Sequence, residues 1–440
     1  MSHRRFAVWL VLSCTAIVLM TPVSGAESSR REPRLSTASR SIVVTTTAEL
    51  VAALSADPGD LTIFVQRGTY LLDHAITVPE NTALIGEGEM LYDNSGLPTG
   101  FVPETLTVIA AVSGVTGDFV TLKDGASLQG LVIQDAARLA LTGGVVVMVS
   151  SQGPGESVSA QIVECEIVNT NPVGATNTGP TGRGLGAITR NRALAGGAAP
   201  HERSLVSVHL THSIIRSPAG GDGIFAINYA SGSHIGLHLR QNVVGKLGAN
   251  GGVSRPDSTV GATTLIQSSG NYYRADNPAP TSIGWQLQGG AHAPIPLGQI
   301  AEETLNNKLS MHSVDDRIEG FGRAIVSTAA QRMSALAGAI SSNKVELILE
   351  GTVLKSTTSD FELLGARSTI AGMPAGDGNV LRVTMRNVIG SGPRANTYGD
   401  ASPNLGTGNR LIISGNANAF SRTNDAILPM PDAQFFTAGR

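Results

Sequence analysis

Short apolar stretches alternate with turn residues along most of the chain. LTIFVQRGTYLLDHAITVPENTALIGEG at 61–88 sets the pattern, with breaks at Gly68, Pro79-Glu80-Asn81 and Gly86. Runs this short, bounded by turn residues, predict strands. In SVHL, Val208 and Leu210 share one face and His209 takes the other; in GLHLR, Leu237 and Leu239 point inward while His238 and Arg240 point out. One helix is predicted, where Thr46 and Glu49 form a capping box ahead of Leu50, Val51 and Leu54 and the run stops at Asp57-Pro58-Gly59. A second, weaker helical period covers 300–309.

The strand pattern repeats. LQGLVIQD, VECEIVNT, LTHSIIRS, LRQNVVGK, SSGNYYRA, LEGTVLKS, MRNVIGSG and ISGNANAF each place a turn residue before a mostly apolar pair. The pairs begin at Val132, Ile167, Ile214, Val243, Tyr272, Val353, Val388 and Ala417, with Ile318 fitting less well, at spacings of 29 to 47 residues. A like core with unequal spacing describes stacked coils with variable loops. Asn242, Asn271, Asn387 and Asn416 precede four of the pairs, and Ser213 and Thr352 two more. Asn tolerates the left-handed backbone of a tight corner. Like amides about 4.8 Å apart on successive coils can bond into a ladder. A further strand follows in each coil, as in GGVVVMVS at 143–150, GLGAITRN at 184–191, DGIFAINY at 222–229 and SIGWQLQG at 282–289. Long loops at 171–183 and 274–281, rich in Gly, Pro and Thr, mark the expected binding side.

GTY at 68–70 and LIGEG at 84–88 resemble the opening coil of the pectin-lyase-like superfamily, and the coil pattern extends that resemblance over nearly the whole chain beyond residue 41. The resemblance implies an all-β fold: a right-handed parallel β-helix over about 42–420, with the 47–56 segment as a cap on its open end. It implies polysaccharide as the substrate class and no particular reaction. A tail or cap is left at 421–440.

Composition agrees with a turn-rich aliphatic solenoid: charged residues are 15%, aromatics 4%, and Gly numbers 52. A net charge of -3 supplies no drive toward nucleic acid. Arg4 and Arg5, the apolar run Phe6 to Met20, and Ser24-Gly25-Ala26 read as an export signal over 1–26, followed by a flexible linker at 27–41. The expectation is a monomer outside the cytoplasm, extracellular or periplasmic, with no membrane span after cleavage. Cys165 is then the only cysteine and reads as a buried, inert thiol.

Hydrolysis of a glycosidic bond needs two flanking carboxylates. Elimination beside a uronate needs a base, and a cation or Arg to neutralise the carboxylate. The Trp-x-Asp-His and Arg-x-Pro-x-x-Arg segments of pectate lyases are absent, as are Asn-Thr-Asp and Gly-His-Gly of pectin hydrolases. The catalytic candidates left are Asp222, Arg190 and Asp257. Substrate-binding candidates are Arg183, Arg255, Arg274 and Trp285 on the long-loop side, and His209, His238 and Arg240 on the strand before the ladder. Each has a plainer reading: Asp222 as a turn residue, the arginines as solvated loop charge, the histidines as surface imidazoles. His238 follows His209 by 29 residues, so the two should stack, but Gln267 occupies the next coil and no third metal ligand follows. No cofactor is expected, apart from calcium if the reaction is a lyase's. Two functions fit: an exported protein that binds or cleaves acidic polysaccharide, with a glycan surface as partner, or a non-catalytic glycan-binding or structural β-helix. A cleft where carboxylates or arginines converge would favour the first.

Overall fold

The computed structural model describes residues 40–440 apart from 57–59, 136–143, 171–181, 190–202, 219–220, 246–249, 277–279, 293–302, 334, 336–337, 371, 391–396, 399–405, 418–425, 428–433 and 437–440. The proposed export signal and nearly all of the linker lie outside the described residues.

Parallel strands stack coil on coil in three faces. Sheet A holds the strands with clean alternation, among them Leu61–Val65, Ser157–Val163, Leu205–Thr211, His234–Arg240, Thr263–Ser269, Lys308–Val314 and Lys344–Glu350. Sheet B holds short strands such as Val132–Gln134, Ile214–Arg216, Val243–Gly245 and Tyr272–Arg274. Sheet C holds Val145–Ser151, Arg183–Thr189, Asp222–Asn228, Asn250–Pro256, Ile283–Gln288, Arg323–Thr328 and Ser359–Leu364. The fold is a right-handed parallel β-helix, as the sequence predicts. Register is strict: Val208, Leu237, Ile266, Met311, Leu347 and Val383 form one inward column, each 1% exposed or less. A one-residue slip would turn that whole column to water, which is why the alternation fixes the pairing.

The helix Thr47–Ser55 covers the first coil. Its capping box forms as expected, Glu49 N–H donating to Thr46 Oγ1 at 3.2 Å and Thr46 N–H donating to Glu49 Oε2 at 3.1 Å. Leu50, Ala53 and Leu54 are buried, which screens the core's open end. The helical period at 300–309 is not a helix where the structure describes it. Thr304–Leu305 and Lys308–Val314 are strands, divided by a corner at Asn306, whose φ is 55°.

The corner between sheets A and B holds the expected polar stack at Ser213, Asn242, Asn271 and Thr352, and departs by one residue from the sequence alignment in the coils of Cys165, Asp316 and Val388. Its left-handed residues are Glu164, His212, Gln241, Gly270, Asp315, Gly351 and Asn387, with φ between 49° and 63°. The residue after each turns inward, giving Cys165, Ser213, Asn242, Asn271, Asp316, Thr352 and Val388. Asn242 and Asn271 therefore are ladder residues, whereas Asn387 is itself the left-handed corner. Asn242 donates its backbone and side-chain N–H groups to Asn271 Oδ1 at 2.9 Å, and Asn271 N–H donates to Asp316 Oδ1 at 2.7 Å. The aligned Ile167 and Ile318 fall one place late and Val388 one place early, since Glu166, Arg317 and Ile389 are the paired residues. The first position of a sheet B strand faces out, so it tolerates charge, and an apolar-pair criterion misplaces it.

A second ladder, missed in the sequence, runs through Asn307, Asn343, Asn379 and Asn409 at the corner leading into sheet A. Each backbone N–H from Asn307 to Asn379 donates to the next Oδ1 at 3.0–3.1 Å.

Candidate functional site

Sheet C differs from sheet A in being buried on both faces. Every residue of Val145–Ser151, Arg183–Thr189 and Asp222–Asn228 is buried. Its outer face carries an apolar patch of Val145, Met148, Ile188, Phe225, Ile227 and Val253, with Tyr229 packed against it. The local sequence explains the geometry. Gly184, Gly223, Gly251 and Gly284 stack at the start of these strands, where a Cβ would meet Ile215, Val244 or Ile318 of sheet B, or the backbone of the next coil. Only glycine lets the two sheets approach this closely. The residue just before each glycine is turned outward, which places Arg183 directly over its partner Asp222.

Those outward positions gather charge. Arg183 Nε lies 3.1 Å from Asp222 Oδ2, and both side chains are within 4% of full burial. The guanidinium carbon of Arg183 sits 3.7 Å above the Phe225 ring. Asn250 N–H donates to Asp222 Oδ1 at 3.1 Å. Arg255 Nε lies 2.8 Å from Asp257 Oδ1, with side chains 9% and 4% exposed. The two pairs share a field. Burial raises the Asp257 carboxyl to about 6 against the opposing pull of Arg255 and Arg183. Burial also lowers Arg183, opposed first by Asp222. A buried ion pair contributes little net stability, so its presence on a sheet face is a pointer to function rather than a need of the fold.

Of the sequence candidates, Arg183, Asp222, Arg255 and Asp257 converge here. Phe225 and Tyr229 were missed, although the DGIFAINY alternation turns Phe225 outward once Ile224 and Ala226 point in. Arg190 lies outside the described residues. Trp285 is not a binding residue: it is fully buried in the core, edge-on to Tyr273 at 5.5 Å, because it is the second residue after the outward position and follows the stacked Gly284. Arg274 lies on sheet B, 2.7 Å from Asp276, away from this cluster. Arg240 is exposed at the end of a sheet A strand.

His209 and His238 do stack, with ring centroids 4.3 Å apart and planes within 7°. They face out from sheet A, and His238 Nδ1 is 2.9 Å from Gln267 Oε1. Burial, then the neighbouring His238, pushes His209 down to about 4. A His209 ring kept uncharged in this way offers no positive charge to an anion at neutral pH.

The aspartates of the sheet C cluster are engaged by arginines, and among the described residues no three His, Cys, Asp or Glu side chains gather to hold a metal ion. Cys165 is buried and its thiol is pushed up to about 12, as an inert cysteine requires. Among the described residues no helix is long and apolar enough to cross a membrane.

No protein-family model and no curated protein matches the sequence. Among solved structures the chain is similar to a mannuronic acid specific polysaccharide family 6 lyase from human gut microbiota. The identity is 12% over 89% of this chain and 92% of that one, with a TM-score of 0.32.

Proposed function

We propose that this is an exported β-helix protein that binds and cleaves acidic polysaccharide by β-elimination on the outer face of sheet C. The observation that carries the reading is the pair of buried arginines, each already holding a carboxylate in a water-poor patch. Arg183 and Arg255 exchange their resident aspartates for the carboxylate of a uronate, which acidifies the neighbouring ring proton. Asp257, released from Arg255, takes that proton: burial raises its carboxyl while Arg255 pulls it down, so losing that partner makes it a stronger base. The electron pair left on carbon forms the ring double bond as the bond to the glycosidic oxygen breaks. That oxygen takes its proton from the Tyr229 hydroxyl, which water then restores. Hydrolysis fits less well, because Asp222 and Asp257 are each committed to an arginine rather than paired across an open cleft.

A non-catalytic glycan binder is the second reading. It is favoured by the mutual neutralisation of these charges, which leaves no carboxylate of the cluster unpaired. The test is product formation by the purified chain on galacturonate, mannuronate and guluronate polymers and on glycosaminoglycans. Unsaturated ends from the native protein, falling at least ~100-fold in Asp257→Asn, support elimination. Reducing ends without unsaturation would replace it with hydrolysis. Binding without any product would leave the second reading.

A further inference from the structure

Sheet B carries a separate groove. The antiparallel hairpin of Met90–Tyr92 and Pro98–Phe101 leaves the first coils and lies against the outer side of sheet B. Met90 and Phe101 pack there on Val132 and Ile214, with Val108 and Val243 at the margin. Tyr92 pins the hairpin, its hydroxyl donating to Glu164 Oε1 at 2.6 Å and its ring edge-on to His212 at 5.6 Å. Beyond the apolar contact, hairpin and sheet part to leave a groove of about 250 Å³. That is near the small end of ligand sites, about 300–1,000 Å³.

The groove has an apolar floor and a polar margin of both signs. Val243, Ile214 and the Tyr272 ring supply the floor, and Leu97 and Pro98 the hairpin wall. Tyr272 is held: Arg317 lies 4.8 Å over the ring, and the hydroxyl donates to Glu319 Oε2 at 3.1 Å. Arg216 reaches across, its Nε 2.6 Å from Glu166 and an Nη donating to Thr99 O at 3.4 Å. Arg274 and Asp276 close the far side as a partly exposed ion pair. On the hairpin, Asp93 lines the groove and accepts from Ser95 N–H, Ser95 Oγ and Leu97 N–H, all at Oδ1.

We infer that this groove binds a neutral pyranose unit of a polysaccharide, at a second site remote from the sheet C cluster. A sugar ring offers an apolar C–H face for a fixed aromatic ring and aliphatic floor. Its hydroxyls both donate and accept, and so need carboxylates and guanidinium groups side by side. A uronate suits the groove less, since its carboxylate would meet those of Asp93 and Asp276. The site serves retention on a polymer rather than chemistry, and a second point of attachment raises the effective concentration of polymer at the first.

The test uses the full chain and neutral hexasaccharides of glucose, galactose, mannose and xylose, beside hexamers of galacturonate and mannuronate. Binding is read by saturation-transfer NMR and calorimetry. Gly245 lines the groove and has an ordinary φ, and a Cβ there would touch only Val243 Cγ1 at 3.6 Å. Gly245→Phe therefore fills the groove without backbone strain, and Arg274→Ala removes one polar wall at an exposed position. The expected result is that at least one neutral hexamer binds, weakening tenfold or more in Gly245→Phe and about threefold in Arg274→Ala, with melting unchanged. Binding of that hexamer should persist in Asp257→Asn, which separates this site from the sheet C reading. The inference is overturned if no neutral hexamer binds, if binding survives the filled groove, or if the uronate hexamers alone are displaced by it.

Discussion

Lowering the pH should destabilise the protein through the His209–His238 stack, and the size can be worked from the structure. His209 binds its proton at about 4 in the folded chain, against 6.5 for an unperturbed imidazole. The unfolded chain therefore takes up a proton between those values that the folded chain refuses. Stability is complete above about 6.5 and is lost as pH falls toward 4. At about 1.4 kcal/mol per unit the full gap corresponds to about 3 kcal/mol, and water at the outer face of sheet A reduces this to about 1–2 kcal/mol. His234, also lowered by burial and by His238, acts in the same direction. Asp257 and Asp316 oppose it, because burial raises both to about 6 and folding then favours their protonated forms at low pH. The wild-type melting curve mixes these signs, so the informative quantity is a difference. Gln161 and Gln267 already occupy the same column, one on each side of the histidine pair, so His209→Gln should fold normally. Urea melts of wild type and His209→Gln at pH 7.5, 5.5 and 4.5 give that difference. The variant should gain about 1–2 kcal/mol relative to wild type between the highest and lowest pH. A difference that stays flat with pH, or a His209 ring that titrates near 6.5 by NMR, would refute the reasoning.

Three further outcomes follow from the fold. Gly223→Ala should cost about 1–3 kcal/mol in urea melts, since its Cβ would strike Val244 and lie 2.6 Å from Gly251 O; an unchanged midpoint would show that sheets B and C can part there. Asn343→Ala should cost on the order of 3 kcal/mol, because Asn343 Oδ1 accepts from Asn307 N–H and its amide donates to Thr304 O and Asn379 Oδ1; full stability would mean that water replaces these bonds. Cys165 should resist thiol reagents at neutral pH in the native protein and react on unfolding, and prompt native modification would contradict its burial.

The alternation of Val208, His209 and Leu210 was enough to set the inward face of sheet A, because a period of two leaves one buried register. The corners were less legible. Asn242 and Asn271 read correctly as ladder residues, but Asn387 has the same composition and occupies the left-handed position instead. The ladder of Asn307, Asn343, Asn379 and Asn409 is hidden in the sequence because it precedes the long sheet A strands, away from the apolar pairs of sheet B that mark the repeat. Arg183, Asp222, Arg255 and Asp257 were legible as charges on the loop side, and the coil register supplies what sequence spacing could not, that each arginine lies against an aspartate. Trp285 misled because aromatic character was read as exposure. The small-residue stack at its strand start turns the next position inward, and a Cβ on Gly252 would clash with that buried ring.

The central claim is that the sheet C arginines receive a uronate carboxylate. It is tested most directly by calorimetric titration of a uronate hexamer into Asp257→Asn and into the same variant carrying Arg183→Met with Asp222→Asn. The second pair of changes removes a buried ion pair together, which avoids stranding one charge and should leave folding intact. The account predicts that the hexamer binds Asp257→Asn and that affinity falls at least tenfold when the Arg183–Asp222 pair is removed, with melting preserved. Equal affinity in the two proteins, or no binding to either when both are folded, would contradict it.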